Sequence, residues 1–424
     1  MRSRNLNKQG GVAALVVTMT LFFAMLLVAV FANRNLVFEQ RGSANQYRAT
    51  QAFEAAEAGL EWAQAQLNNV QRLGADCRAS TDAAAATFRD RYLNMTPADA
   101  GFSGRVWNNG GVDTALQPSC VRSATGWRCS CPVTGHAQLA APAAGPAAPA
   151  FTLEFLAGAK PGVVRVISRG CTSLGGACTP GSAAATDATA RVEVALALLP
   201  GLASAPAAAL TARGEVNATT AALGLHNSDV ASGAVAVHAG ASIDAGAARI
   251  SGAAGAPQSE AMVGNDAALA ALSPDQLFSA TFGHDRQSWA AQPTVTALTC
   301  AGNCANALEA AVAVAGTNAL IRVSGNLLLD GPVSIGSAQQ PALVVVDGAA
   351  QLRGPVTLHG LLYATSVSWN APVAAGALVR GAVISETGYN GDGTPELVYD
   401  AAALDHLRSR SGTFVRVSGS WRDF

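Results

Sequence analysis

Residues 12–32, VAALVVTMTLFFAMLLVAVFA, contain no charge, no proline and no glycine. Wound into a helix at 1.5 Å per residue, these 21 residues reach about 31 Å, the thickness of a bilayer's hydrocarbon core. The segment therefore predicts a membrane span. Ahead of it stand Arg2, Arg4 and Lys8 with no acid, then Gly10 and Gly11. Basic residues stay on the cytoplasmic side, so everything beyond Ala32 is expected outside the cytoplasm. A cleaved secretory signal has a shorter apolar core followed by a small-residue cut site. Here Arg34 and a helical pattern follow at once.

The helix is predicted to run on to about residue 70, because proline is missing from 33–70 and glycine occurs there only at Gly42 and Gly59. Phe53, Ala56, Leu60, Ala63 and Leu67 recur at helical spacing as one apolar stripe, expected to face a partner surface. Glu54, Glu57 and Glu61 share a neighbouring face, read as solvated in preference to an inter-subunit contact. A helix over 12–70 would be about 88 Å long. Such a rod, apolar all round in one half and amphipathic in the other, suits packing beside copies of itself or relatives.

The basic leader ending in glycine, the apolar helix behind it and the run YRATQAFEAAEAGLEWA at 47–63 resemble the PilX family of type IV pilus minor pilins. The resemblance implies that a leader of residues 1–11 is removed by prepilin peptidase after Gly10 or Gly11, with N-methylation of the new first residue, Gly11 or Val12. It implies a protein held in the inner membrane by one span with its C-terminal part in the periplasm, then drawn into a pilus. Implied partners are other minor and major pilins and a PilY-type tip adhesin. Major pilins carry a glutamate five residues after the cut, whereas this chain has Leu15 or Val16. A terminal ammonium without that carboxylate is costly to bury in a shaft, which favours a tip or initiating position.

Residues 71–200 are expected to form an α+β head. Alternating or β-branched runs at 151–157, 163–171 and 188–199 predict strands. Similarity to pilin heads implies a small antiparallel sheet packed on the helix. WRCSCP at 127–132 predicts another strand, and the Ala- and Pro-rich 140–150 a surface loop. The cysteines, Cys77, Cys120, Cys129, Cys131, Cys171, Cys178, Cys300 and Cys304, are even in number and fit disulfides in an oxidising compartment. Zinc would want repeated Cys pairs or matched histidines, and the histidines stand apart. Cys171 with Cys178 and Cys300 with Cys304 are the favoured pairs, and the other four admit three connectivities. A redox-active Cys129-x-Cys131 lacks an evident base or helix start to lower a thiol pKa.

LPGLASAPAAA at 199–209 marks a composition break. From there to residue 424, short strands alternate with Gly, Asn and Asp turns. IRVSGNLLLDGPVSIGS, LVVVDGAAQLRGPVTLHG and LLYATSVSWNAPVAAGA repeat a strand, turn, strand and Pro-Val step. Pro332, Pro355 and Pro372, and Gly360 and Gly381, recur at intervals near 20, the spacing of a parallel β-helix or related solenoid. The composition agrees: 50% hydrophobic but only 6% aromatic, with 43 glycines, suits small side chains stacked from coil to coil. Residues 216–255 continue the pattern in weaker form. Helical spacing within 259–314 predicts an insertion, acting as a cap or a side cover. The ending VSGSWRDF resembles the final strand of long PilX-like chains.

The fold class expected is thus α+β: a long pilin helix, a small antiparallel head and a mainly β solenoid. With 27 basic and 28 acidic residues, no net field steers the chain to nucleic acid. No phosphate-binding glycine loop occurs, and neither a cofactor nor a metal is expected. Asp392 and Glu396 in YNGDGTPE fall short of a calcium loop and read as a turn. Asp330, Asp347, Glu386 and Asp392 stand beside turn glycines and form no evident catalytic set, so no enzyme is expected. The alternative is a membrane-anchored adhesin or carbohydrate-binding solenoid, with Trp289, Tyr363, Trp369, Tyr389 and Trp421 as candidate contacts.

Overall fold

The computed structural model describes residues 10–98, 101–140, 148–174, 178, 188–218, 223–371 and 376–423. The basic leader with Arg2, Arg4 and Lys8, most of the loop between 174 and 188, the heart of the 140–150 loop, and Pro372 lie outside the described residues. The chain is α+β, with one long apolar helix followed by mainly β structure.

Helix α1 (Gly10–Leu67) is unbroken. Among the described residues its first half meets no other element, and its large apolar side chains from Val12 to Phe38 are exposed. From Ala52 onward it lies across an antiparallel sheet. In that sheet Gly126–Ser130, Ser119–Ser123, Ala150–Ala157, Val163–Cys171, Thr189–Pro200 and Gly412–Arg416 follow one another in space. The short helix α2 (Phe88–Tyr92) closes the core, placing Phe88 and Tyr92 against Leu60, Phe151 and Val166.

The edge strand of the head is supplied by the C-terminus. Gly412 pairs with Pro200 and Arg416 with Leu196, and Arg422–Asp423 adds a second short pairing further along Thr189–Pro200. A boundary that gives all of 201–424 to the solenoid therefore needs correction: Gly412–Arg416 belongs to the head. The rest, 201–411, leaves from one strand and returns on its immediate neighbour.

Between those strands the chain forms a three-faced parallel β-helix. On the first face the stacking order is Val295–Thr299, Leu320–Ser324, 342–346, 360–364, 381–385, Ala208–Ala212, Val235–Ala239 and Met262–Val263. The spatial order departs from the chain order. The small-residue coils of 208–263 stack beneath the last coil of the C-terminal run, and the chain then crosses back to begin at the opposite end. Alternation sends Ile321, Val323, Val344, Val346, Leu362 and Val383 inward. At the corners, a Cβ on Gly360 or Gly381 would strike a backbone carbonyl of the preceding coil, that of Ala342 or Gly360, which explains their 21-residue recurrence.

The returning segment covers the first face. Helices α3 (Ala267–Ala271), α4 (Pro274–Phe282) and α5 (Arg286–Ala290) lay Leu269, Leu277, Phe278, Phe282 and Trp289 over the outward residues Leu320, Leu343, Val345, Leu361, Tyr363 and Ile384. Ser273 starts α4 with a capping box and proline at the first turn. Helix α6 (Ala305–Ala315) closes one end of the coil stack with Ala305, Leu308, Val312 and Ala315. Helix α7 (Ala401–Ser409) adds Leu404 and Leu407 to the covered face. The insertion is thus both a side cover and an end cap.

Candidate functional site

The surface that most demands a partner is the free half of α1. Gly10, Gly11 and Val12 sit at its start, with Leu15 and Val16 about one turn on, both exposed. Thr18 and Thr20 return their hydroxyls to the carbonyls of Ala14 and Val16 at 3.0 and 3.1 Å, so neither presents an unsatisfied group to an apolar surround. The segment is long and apolar enough to cross a membrane.

In the second half, Ala56, Leu60, Ala63 and Leu67 are buried and Phe53 is half-buried. Their partner surface is the chain's own sheet. Ala52 and Ala56 meet Gly170, while Gly59 meets Ser168 and Phe151. The small residues of the AFEAAEAGL run are thus the means by which helix and sheet approach closely. The acidic row divides: Glu54 is exposed, whereas Glu57 accepts the indole N–H of Trp421 at 2.7 Å and Glu61 pairs with Arg416 at 2.7 Å. Two of the three glutamates therefore hold the C-terminal segment along the helix, while Glu54 and Glu61 remain exposed to solvent as expected.

The disulfides are Cys77–Cys131, Cys120–Cys129, Cys171–Cys178 and Cys300–Cys304, and no cysteine is free. Cys129 and Cys131 belong to different bridges: Cys129 stands directly opposite Cys120 in the strand register, whereas Cys131, just past the end of that strand, bonds to Cys77.

The solenoid is fixed at the end of α1 remote from its free half. The side-chain amide of Asn68 donates to the Phe414 carbonyl at 2.9 Å and accepts from its N–H at 2.7 Å, imitating a strand. Arg89, which sequence reasoning missed, is 2% exposed. It donates to the carbonyls of Leu67 at 3.2 Å and Gly412 at 2.7 Å, with its guanidinium 4.8 Å from the Phe414 ring centre. Burial pulls its pKa down to about 10, with Asp90 opposing the shift, so it stays charged at neutral pH and neutralises the carbonyl end of the helix. Arg72 donates to Ala313 in α6 at 2.7 Å, and Thr317 donates to Asp90.

Candidate contacts on the solenoid are placed differently from expectation. Trp289, Tyr363, Trp369 and Tyr389 are buried, the first two between the covering helices and the first face, the last two in the coil interior, where small side chains leave volume for a ring. Trp421 is half-exposed and bonded to Glu57. Asp392 and Glu396 lie on strands, Tyr389–Gly393 and Glu396–Tyr399, rather than in one turn. Glu396 is engaged by Arg249 and, at 2.8 Å, by His226, whose other ring nitrogen meets Ser251 at 2.7 Å. That ladder ties three coils together. Asp347 pairs with Arg322 at 2.8 Å, and buried Glu386 pairs with Arg286. Among the described residues no group of three or more His, Cys, Asp or Glu is placed to hold a metal ion.

Residues 10–61 match the family model described as PilX N-terminal, which bears out over that stretch the resemblance read from the leader and the AFEAAEAGL run. The matched stretch is the greater part of α1. No curated protein and no solved structure matches the chain.

Proposed function

We propose that this chain, whose N-terminal region is that of a PilX-type, type IV pilus-related pilin, is a minor pilin that takes part in starting pilus assembly or stands at the pilus tip, without catalytic activity. The observation that carries the reading is the polarity of the molecule along α1. A free apolar half-helix occupies one end and the head with its inserted solenoid the other. Before assembly the free half is solvated by lipid; afterwards it is solvated by the helices of other pilins. The transfer exposes no apolar surface to water. Lacking an acid at Leu15 or Val16, the mature end offers no carboxylate to its own ammonium or a neighbour's. A site with neighbours on one side only suits it better than the shaft.

In this reading prepilin peptidase cuts after Gly10 or Gly11, the partners are minor and major pilins and a PilY-type adhesin, and the protein moves from the inner membrane to the pilus. The test is deletion in the native host, scored by surface filaments, with mass spectrometry of the mature N-terminus. Fewer filaments and a cut leader are expected. Replacing Gly10 and Gly11 together should leave the leader uncut and the protein in the membrane. Normal filaments in the deletion strain, together with an intact leader in the wild type, would remove the reading.

A further inference from the structure

The faces of the solenoid are unequally dressed. The first lies under α3–α5 and α7. The second is open, and alternation sends two rows of side chains out from it. Gln351, Ser368, Asn390, Asn217 and Asp244 stand in register on successive coils. Beside them run Asp330, Arg353, Asn370 and Asp392. Every one of these residues is exposed, while the residues between them, such as Leu352 and Trp369, fill the core.

Gln351, Arg353, Ser368, Asn370, Asn390 and Asp392 line a groove of about 460 Å³. Among the described residues these six side chains find no hydrogen-bond partner within the chain. The groove offers amide and hydroxyl groups, both donors and acceptors, repeated at about 4.8 Å along the coil axis. Its one cation, Arg353, stands in register between Asp330 and Asn370 with Asp392 beyond, so little positive field remains for a phosphate backbone. No large apolar side chain is exposed on these strands, which removes the anchor a protein partner would use. A single exposed amide gains little over water, whereas a row repeated from coil to coil suits a polymer that repeats as well.

We propose that this open face binds an extended, uncharged polysaccharide lying along the coil axis, with Ser368 and Asn390 at the centre of the contact. The property is separable from the pilin reading, because it is tested on purified protein outside any filament.

The test uses the full chain in detergent micelles, titrated with cellohexaose, chitohexaose, maltohexaose and the anionic hexagalacturonate. At least one neutral hexasaccharide should bind. The combined Ser368→Ala and Asn390→Ala variant should weaken that binding at least tenfold with an unchanged circular dichroism spectrum. Ser334→Ala, exposed on the third face, should bind as the parent does. Binding of hexagalacturonate alone, or binding that the double variant leaves intact, overturns the proposal. So does failure of all three neutral sugars, which would reassign the face to a protein partner, identifiable by crosslinking from position 390.

Discussion

Gly170 sets how closely the helix lies on the head sheet. A Cβ there would meet the Ala52 carbonyl oxygen and the Ala56 amide, both backbone atoms of a regular helix that cannot step aside. Gly170→Ala should therefore cost about 1–3 kcal/mol, as overpacking does, read as a lower urea midpoint with all disulfides still formed. The small residues of α1 were visible in the sequence as a motif. Their counterpart was not, because nothing local to Gly170 announces the helix that crosses it. His406 is a second residue whose setting only the fold supplies. Its Nε2 lies 3.1 Å from the Thr317 carbonyl. Burial lowers its pKa; the Thr317 bond opposes this, Arg410 lowers it further, and Asp90 and Asp405 raise it. The folded pKa thus sits below the unfolded value of about 6.5. The folded state resists protonation, so the stability is complete above about pH 6.5 and is lost as pH falls through the folded pKa. Between pH 7 and 5 the melting temperature should drop further in the parent than in His406→Gln. Equal drops would remove His406 as the cause.

Among the elements, the length of α1 and the alternation of the long strands were legible, since both follow from local periodicity. The helix stops at Leu67, a turn short of expectation, because Asn68 turns its side chain to Phe414. Asn68→Ala would leave the buried N–H and carbonyl of Phe414 unpaired and should cost about 2–3 kcal/mol. It should also speed hydrogen exchange at the Phe414 amide; an unchanged exchange rate would show that another group replaces the side chain. Which strands pair was much less legible. The coils of 208–263 look like a faded continuation of the later repeats, yet they stack after 381–399, and only long-range contacts report that order. The polar rows of the second face were present in NLLLD, AAQLR, VSWNA and YNGDG as every second residue. They become a surface once the coils are placed in register.

At the scale of the whole molecule, the solenoid is a guest in the head. Pro200 and Gly412 already pair, so a short glycine-containing turn in place of 201–411 should preserve the head. The expected product unfolds cooperatively and carries Cys77–Cys131, Cys120–Cys129 and Cys171–Cys178, as disulfide mapping would show. Scrambled bridges or aggregation would mean that α6 and the Asn318 contact to Gly412 are required. Folding of the complete chain carries a further demand. The coil at Ala208–Ala212 meets Val235–Ala239 early, but its other neighbour arrives only when 381–385 has been laid down, so early residues wait on late ones, the situation that slows folding.

The paired exit at Pro200 and Gly412 also fixes how the molecule answers a pull. Tension on the appended solenoid enters through two neighbouring strands at the same end and draws them together. The rungs to Val163–Cys171 lie across that direction, so they are loaded all at once in shear and none is peeled first. A tether rooted in this way resists being drawn out lengthwise, along its own strands, from the body that carries it.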